Sequence, residues 1–549
     1  MPKKLAITIS GAVSLGSYEA GVLYEVITAI GQHNQDPRTS DEEKIYIDVL
    51  TGASAGGMTA AIAAQKLLYE ADALADPYDN AFYRPWVAEI SIERLLHLHG
   101  HDSPTMSIMS SQTVVDISEK MLTGRYASHL TPPVKPHPAV DGKNLNLGLA
   151  LANLNGVDYK LDTKPSGSVT YTRHKDELIR RFPAADRARD DNGSLWEALR
   201  DAAVSCGAFP FAFRPVELVR HATEYELPDQ ARPMPQTQNF AYTDGGVFQN
   251  EPIGIAKRLV DEIDEHLNLE KRFFLFVAPD LKGSAANSDF NEDNASLVAT
   301  AGRLVGSIFN QSRFPDLLLA EEKNREVELL NQRAKALGEM LTKGDTSATT
   351  LASALEAAAT PLLAALFGDD QQAIADAQAR LASQFATDFP GMGAPTRKAW
   401  IDTILTLERA AGLGETDEMT IYSVTASDKE LASADLMAFG GFFARNYREH
   451  DYEVGREKAQ VFLKTPGIFG LPGSVRYTPL PNAGRDKSLA GLKMRQMDRD
   501  LRVKVRDQIL DRFNEILIQL GVKGFLWGRA VREIADLIIK PKLNKFLDL

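Results

Sequence analysis

Cysteine is nearly missing from this chain. Cys206 is alone among 549 residues, so no intrachain disulfide can form, and this usage fits a reducing compartment. A cationic surplus is missing too. The formal net charge is -13, which argues against a dedicated nucleic-acid binder, because phosphate contacts need a basic surface. No apolar run is read as long enough to span a membrane. The apolar start Leu5–Ile9 follows Lys3 and Lys4, but Gly11, Ser14, Gly16, Ser17 and Glu19 soon break it, unlike a signal peptide. No internal repeat is evident. A cytoplasmic protein with at most peripheral membrane contact is expected.

What remains is ordinary globular material: 44% hydrophobic and 25% charged residues, in a length that suits a two- or three-domain enzyme. Residues 1–290 alternate strand-like and helix-like runs, which predicts a largely parallel sheet between helices. Candidate strands are Leu5–Ile9, Ile45–Leu50, Leu145–Leu151, Phe240–Thr243 and Phe273–Val277. After Gly16, the positions Ala20, Leu23, Val26, Ile27 and Ile30 fall at helical spacing. Residues 131–138 are proline-rich and read as a surface connection. Residues 291–415 read as a helical insertion or cap, with Pro361 dividing the alanine-rich stretch Ala348–Phe385 into two helices. Residues 416–549 read as a mixed and helical C-terminal region. It holds a strand at Met419–Val424, an aromatic cluster around Phe439–Phe443, and a helix carrying Ile509, Leu510, Phe513, Ile516, Leu517 and Leu520 on one face.

The most informative motif is Gly52-Ala53-Ser54-Ala55-Gly56, placed between the strand Ile45–Leu50 and a small-residue helix that starts near Gly57. Strand, G-x-S-x-G, helix is the nucleophile elbow, a sharp turn that lifts a serine hydroxyl clear of the backbone. Small neighbours are needed there because strand and helix approach closely. A serine nucleophile also needs a base and donors for an oxyanion. The donor candidate is the loop Ser10–Ser17, which joins the first strand to the first helix. Its Gly11 and Gly16 have phosphate-loop spacing, but Ser17 stands where that motif requires lysine. The base candidate is Asp244, in Tyr242-Thr-Asp-Gly245-Gly246, directly after a strand-like run; an Asp-Gly turn is also a common structural feature.

Together these stretches resemble the patatin-like phospholipase family, lipid acyl hydrolases that use a Ser–Asp dyad. The family order is a glycine-rich oxyanion loop, then G-x-S-x-G, then D-G-G or D-G-A. Here these are Gly11-Ala-Val-Ser-Leu-Gly16, the Ser54 pentapeptide and Asp244-Gly245-Gly246. Two further stretches agree, Ala203–Pro210 with Phe213–Pro215, and Asp244–Pro252. The resemblance covers the first half of the chain. It implies a patatin-like three-layer α/β fold and no metal or organic cofactor. It implies a lipid ester substrate, and no protein partner is indicated. By its motif positions, Ser54 and Asp244 are the catalytic pair. Backbone N–H groups of Gly11, Ala12, Val13 and Ala55 form the oxyanion hole, and Gly16, Gly52, Gly56, Gly245 and Gly246 support the turns. The family loop usually has three glycines and an arginine, whereas this chain has Ala12, Val13 and Leu15. Ala and Val can still donate backbone N–H groups if the loop avoids positive φ there.

Other features carry less. His97-Leu-His99-Gly-His101-Asp102 lacks the spacing of a zinc site and reads as a polar loop. Arg445, Arg448 and Arg456 around Asp451 read as a salt-bridged corner. The segment from Arg485 onward is richer in Lys and Arg than in Asp and Glu. Such a helix either touches anionic lipid or packs on its own protein. Two rival functions remain. One is an α/β-hydrolase triad, whose histidine would have to be His266 or His450. The other is a scaffold that keeps the fold without catalysis.

Overall fold

The computed structural model describes residues 2–123, 135–141, 144–163, 167–182, 194–225, 234–263, 272–279, 290–291, 297–342, 346–368, 370–411, 419–434, 438–519, 540–541, 543–544 and 547–549. Of the proline-rich connection, residues 131–134 lie outside these, as do His266 and Leu520.

The chain opens with β1 (Lys3–Ile9), α1 (Gly16–Gln35), β2 (Ile45–Gly52) and α2 (Ala55–Tyr69). Next come α3 (Ile92–Leu96), α4 (Ser111–Ser118), β3 (Leu145–Thr163), β4 (Gly167–Phe182) and α5 (Ser194–Cys206). Then follow β5 (Val216–His221), β6 (Thr237–Asp244), α6 (Ile253–Ile263), β7 (Arg272–Val277) and α7 (Leu297–Ser312). Four helices continue the chain: α8 (Pro315–Thr342), α9 (Thr346–Phe367), α10 (Gln371–Gln384) and α11 (Ala394–Ala410). The chain then adds β8 (Ile421–Val424), α12 (Arg445–Leu463) and α13 (Arg499–Gln519).

The fold is mixed α/β with a mostly parallel sheet, ordered β5-β6-β3-β2-β1-β7-β8, with β4 paired to β3. β2 runs parallel to β1 and to β3, and β7 runs parallel to β8. The antiparallel strands are β6, β5 and β4. Residues Leu5–Ile9 and all of β7 are buried, as expected for strands covered on both faces. That is why the apolar runs gave these strands away. β4 was not anticipated. It pairs along the full length of β3, and its first half is exposed, so no apolar alternation marks it.

Two compact units divide the chain differently from the boundaries read off the sequence. One comprises Met1–Ala256, Phe273–Pro315 and Ile421–Leu549; the other comprises Lys257–Arg272 and Asp316–Thr420. The C-terminal region is therefore not a separate piece. β8 is a strand of the main sheet, and α12 packs along α1. Contact between these helices is unusually close. A Cβ on Gly21 would stand 2.1 Å from the Tyr452 carbonyl oxygen, and one on Gly455 would stand 2.1 Å from that of Tyr18.

Buried charge joins the same two helices. Arg456 donates to Glu25 Oε1 from Nε and Nη2 at 3.0 and 2.8 Å, and both side chains are buried. The salt-bridged corner expected around Asp451 is thus built otherwise. Asp451 accepts from the Ala432 N–H, while Arg448 donates to the carbonyls of Val87 and Gly441. The C-terminal α13 packs on its own protein through buried Val505 and Leu510, and Arg512 donates to the Leu96 carbonyl.

The second unit has its own core, in which Trp400 meets the edges of Phe385 and Phe389 and donates to the Ala334 carbonyl. Pro361 sits inside α9 and does not divide it; the break comes after Phe367. Thr349–Phe367 is long and apolar enough to cross a membrane by length and composition, contrary to the sequence reading. Alanine and threonine carry much of this stretch, which is why no bulky apolar run stood out. In this structure it packs against α11.

Candidate active site

The turn between β2 and α2 is strained in the way a nucleophile elbow requires. Ser54 has φ 50 and ψ -129, a region that residues other than glycine rarely enter. Close packing holds it there: a Cβ on Gly56 would lie 2.3 Å from the Ser10 carbonyl oxygen. A Cβ on Gly52 would collide with Gly56 at 2.4 Å, and one on Gly16 with the Trp86 ring at 2.7 Å. The Ser54 hydroxyl donates to Asp244 Oδ2 at 2.6 Å across 190 residues of sequence.

Asp244 ends β6, where pairing with Leu151 of β3 fixes its position. Its own N–H donates to the Ala208 carbonyl at 3.0 Å, and its Oδ1 accepts the Gly246 N–H at 2.7 Å. Gly245 lies against β3, with a would-be Cβ 2.0 Å from the Ala150 carbonyl oxygen. The carboxyl is fully buried, and desolvation pushes its pKa up to about 7 despite the Ser54 and Gly246 hydrogen bonds. Cys206 lies beneath, its buried thiol held well above the usual range, with backbone hydrogen bonds from Ser54 and Gly245 pulling the other way.

The loop after β1 comes to the same place, because a Cβ on Gly11 would stand 3.0 Å from Ser54 Cβ. The Gly11 N–H, expected as an oxyanion donor, is instead taken by the Asn250 carbonyl at 3.0 Å. The N–H groups of Ala12 and Val13 find no acceptor among the described residues. Val13 has φ 52, although the sequence reading required this loop to avoid positive φ. Ala12 precedes it at φ -138 and ψ -1. Ala55 is the first residue of α2, so its N–H lacks an intrahelical acceptor.

Contacts from distant parts of the chain brace the loop. Asn250 Nδ2 donates back to the Gly11 carbonyl at 3.3 Å. The Ser14 N–H and hydroxyl both donate to the Ala438 carbonyl, and the Ser14 hydroxyl accepts the Gly441 N–H at 3.0 Å. Ser10 Oγ donates to Glu19 at 3.2 Å, and burial raises the Glu19 carboxyl well above its usual range. Neither Asn250 nor Ser14 was singled out from sequence. Asn250 lay inside a motif-matching stretch, but nothing in its spacing showed that it would reach Gly11.

The other candidates lie elsewhere. His450 presents its ring nitrogens to the carbonyls of Asp486 and Glu430. His99 Nε2 meets Asp116 at 3.0 Å, and no group of three metal-ligating side chains occurs among the described residues. Phe209 stacks on Phe309 and meets Phe439 edge-on; Phe309 lies against the backbone of Gly246.

Comparison with known proteins places this geometry. The chain is 24% identical over 393 residues to an uncharacterized protein, y4iI, of Sinorhizobium fredii, an alignment covering 58% of this chain. It spans about half the length of that relative, 55% of which is matched. Residues 7–257 match the family model described as patatin-like phospholipase, a stretch that runs from β1 into α6 and holds the turn, the loop and the carboxylate. The chain thus carries a patatin-like phospholipase domain over residues 7–257.

Proposed function

We propose that this domain is a serine acyl hydrolase that cleaves carboxylic esters of lipids through Ser54 and Asp244. The observation that carries this reading is the 2.6 Å hydrogen bond from a hydroxyl on a strained turn to a fully buried carboxylate. Asp244 accepts the proton as Ser54 Oγ attacks the ester carbonyl. The N–H groups of Ala12 and Val13, with that of Ala55, receive the oxyanion of the tetrahedral intermediate. The alcohol or lysolipid leaves with the proton. Water, activated by Asp244, then cleaves the acyl-enzyme. A carboxylate at its reference pKa of about 3.9 would be a poor base, and burial lifts Asp244 toward the working pH.

Serine-directed fluorophosphonate labelling is the first test, with hydrolysis of phospholipids, lysophospholipids and neutral glycerides measured on the same protein. Wild type should label and Ser54→Ala should not. An unlabelled wild type, or lipid hydrolysis that persists in Ser54→Ala, would overturn the proposal.

The loop gives a second prediction. Val13→Pro removes one N–H and locks φ near -65°, far from the positive value found here. Loss of one oxyanion donor should cost about 100-fold in kcat. Val13→Gly keeps the N–H and tolerates positive φ, so its kcat should stay within about threefold of wild type. Steady-state kinetics on both variants, with thermal melts as a folding control, check this. Equal losses in the two variants would remove the donor role.

A further inference from the structure

Arg448 is a buried cation, and no carboxylate forms an ion pair with it among the described residues. Its guanidinium instead holds backbone carbonyls from two separate segments. Nε donates to Val87 at 3.1 Å, while Nη1 donates to Gly441 at 2.8 Å and to Phe442 at 3.4 Å. Taking a guanidinium out of water without a counter-ion is costly. Burial accordingly lowers its pKa to about 10, with Arg445 adding to the shift and Glu93 and Glu449 opposing it.

Both segments lead to the oxyanion loop. Gly441 donates its N–H to the Ser14 hydroxyl at 3.0 Å, and a Cβ on Gly441 would stand 2.7 Å from that oxygen. Ser14 directly follows Val13, one of the proposed oxyanion donors, and is also tied to the Ala438 carbonyl. On the other flank, Val87 follows Trp86, whose ring packs on Gly16 at the end of the loop. Trp86 is anchored in turn by its donation to Thr59 Oγ1 of α2 at 2.9 Å. One arginine therefore spans two supports of the loop, one acting at Ser14 and one at Gly16. Residues 10–17 contain no charged side chain, so the loop brings no cation of its own. Arg448 belongs to α12, far beyond the family-matched segment.

We propose that Arg448 is a positioning residue of the ester reaction, tying the Val87 and Gly441 carbonyls together so that Ser14 and Gly16 hold the Ala12 and Val13 N–H groups in place for the oxyanion. The proposal rests on the acyl-hydrolase reading and deepens it. Arg448 makes no contact with Ser54 or Asp244, and its effect passes through the backbone. A planar fork suits this task better than a point charge, because its donors reach separate carbonyls in a fixed geometry. A loop displaced by about 1 Å would cost on the order of 100-fold in rate. The loss should fall on kcat, because the oxyanion is present in the transition state and not in bound substrate.

The test is steady-state hydrolysis of p-nitrophenyl butyrate, with thermal melts as the folding control. Arg448→Met keeps apolar volume without the fork, and should lower kcat about tenfold or more while KM stays within about threefold. Arg448→Lys keeps the charge but cannot hold both carbonyls, so it should lose nearly as much. Ser14→Ala, a smaller change, removes the acceptor of the Gly441 N–H and should lower kcat in the same way should the arginine variants fail to fold. Arg448→Met/Ser14→Ala should be no slower than the slower single variant, because both changes cut one linkage. In a wild type that hydrolyses the ester, normal kcat in Arg448→Met or in Ser14→Ala overturns the positioning role and leaves the dyad standing. Normal kcat in Arg448→Lys does the same, since charge alone would then suffice. Losses that multiply in the double variant also overturn it. A wild type that neither hydrolyses the ester nor labels with fluorophosphonate overturns the acyl-hydrolase reading, and the positioning role with it.

Discussion

Asp244→Asn should lower kcat by about 1,000-fold or more, the upper part of the range for removing a positioned general base. The variant should keep its fold. An asparagine can still accept the Gly246 N–H through its amide oxygen, and its amide nitrogen can donate to Ser54. No cation lies within hydrogen-bond reach of Asp244 among the described residues, so neutralising the side chain breaks no ion pair. The linkage argument goes further. The folded carboxyl has a pKa of about 7, against about 3.9 for an unfolded aspartate. Between those values the native state holds a proton that the unfolded state has released, so this group lowers stability as pH rises. Its full cost is present above pH 7 and disappears as pH falls to about 4. Asp244→Asn should therefore be more stable than wild type at pH 8, and the advantage should vanish toward pH 4. Urea midpoints at the two pH values check this, together with kcat. Near-normal turnover by Asp244→Asn would refute the dyad.

The same titration should shape the wild-type rate. Only the ionised carboxylate can accept the Ser54 proton, so kcat/KM should climb tenfold per pH unit below about 7 and level off above it. A midpoint near pH 4 would show that burial does not tune this group.

Much of this site was legible in the sequence because its constraints are local. The Ser54 pentapeptide carries small residues on both sides of the turn, and the collisions predicted for Cβ atoms on Gly52 and Gly56 explain why. The buried parallel strands announced themselves as apolar runs. Contacts made across hundreds of residues left no such trace. The bond from the Gly11 N–H to the Asn250 carbonyl closes a gap of 239 residues, and it removes one donor that the family pattern had assigned to the oxyanion hole. Positive φ at Val13 was equally invisible, since a β-branched residue argues against it. Bracing of Ser14 by Ala438 and Gly441 supplies the restraint that the local sequence does not. The compact units divide the chain at other positions for a related reason. Helical composition after residue 290 separates α8 to α11 from what precedes them, but it cannot show that β8 and α12 return to the first unit.

That return predicts the largest effect on stability. Arg456→Ala should destabilise the first unit by about 3–5 kcal/mol, the range for stranding one partner of a buried ion pair. Among the described residues, Glu25 would keep only the Gln460 amide as a side-chain donor, at 2.9 Å, in a position with almost no solvent exposure. Tyr78 would lose its bond to the guanidinium, and the Leu480 carbonyl would lose a donor. Attraction between the two charges is not itself the source of this number. Taking both ions out of water is expensive, and the pair mainly offsets that expense. The double variant Glu25→Met/Arg456→Met should therefore recover part of the loss, because it removes both charges of the pair and keeps apolar volume between α1 and α12, while buried Glu453, 3.5 Å from Arg456, still loses that partner. Urea unfolding of the two single variants and the double variant gives the coupling directly. A double variant as unstable as the sum of its parts would mean that the two charges do not compensate each other. Close packing at Gly21 and Gly455 would then carry more of the joint between the family-matched segment and the C-terminal helix.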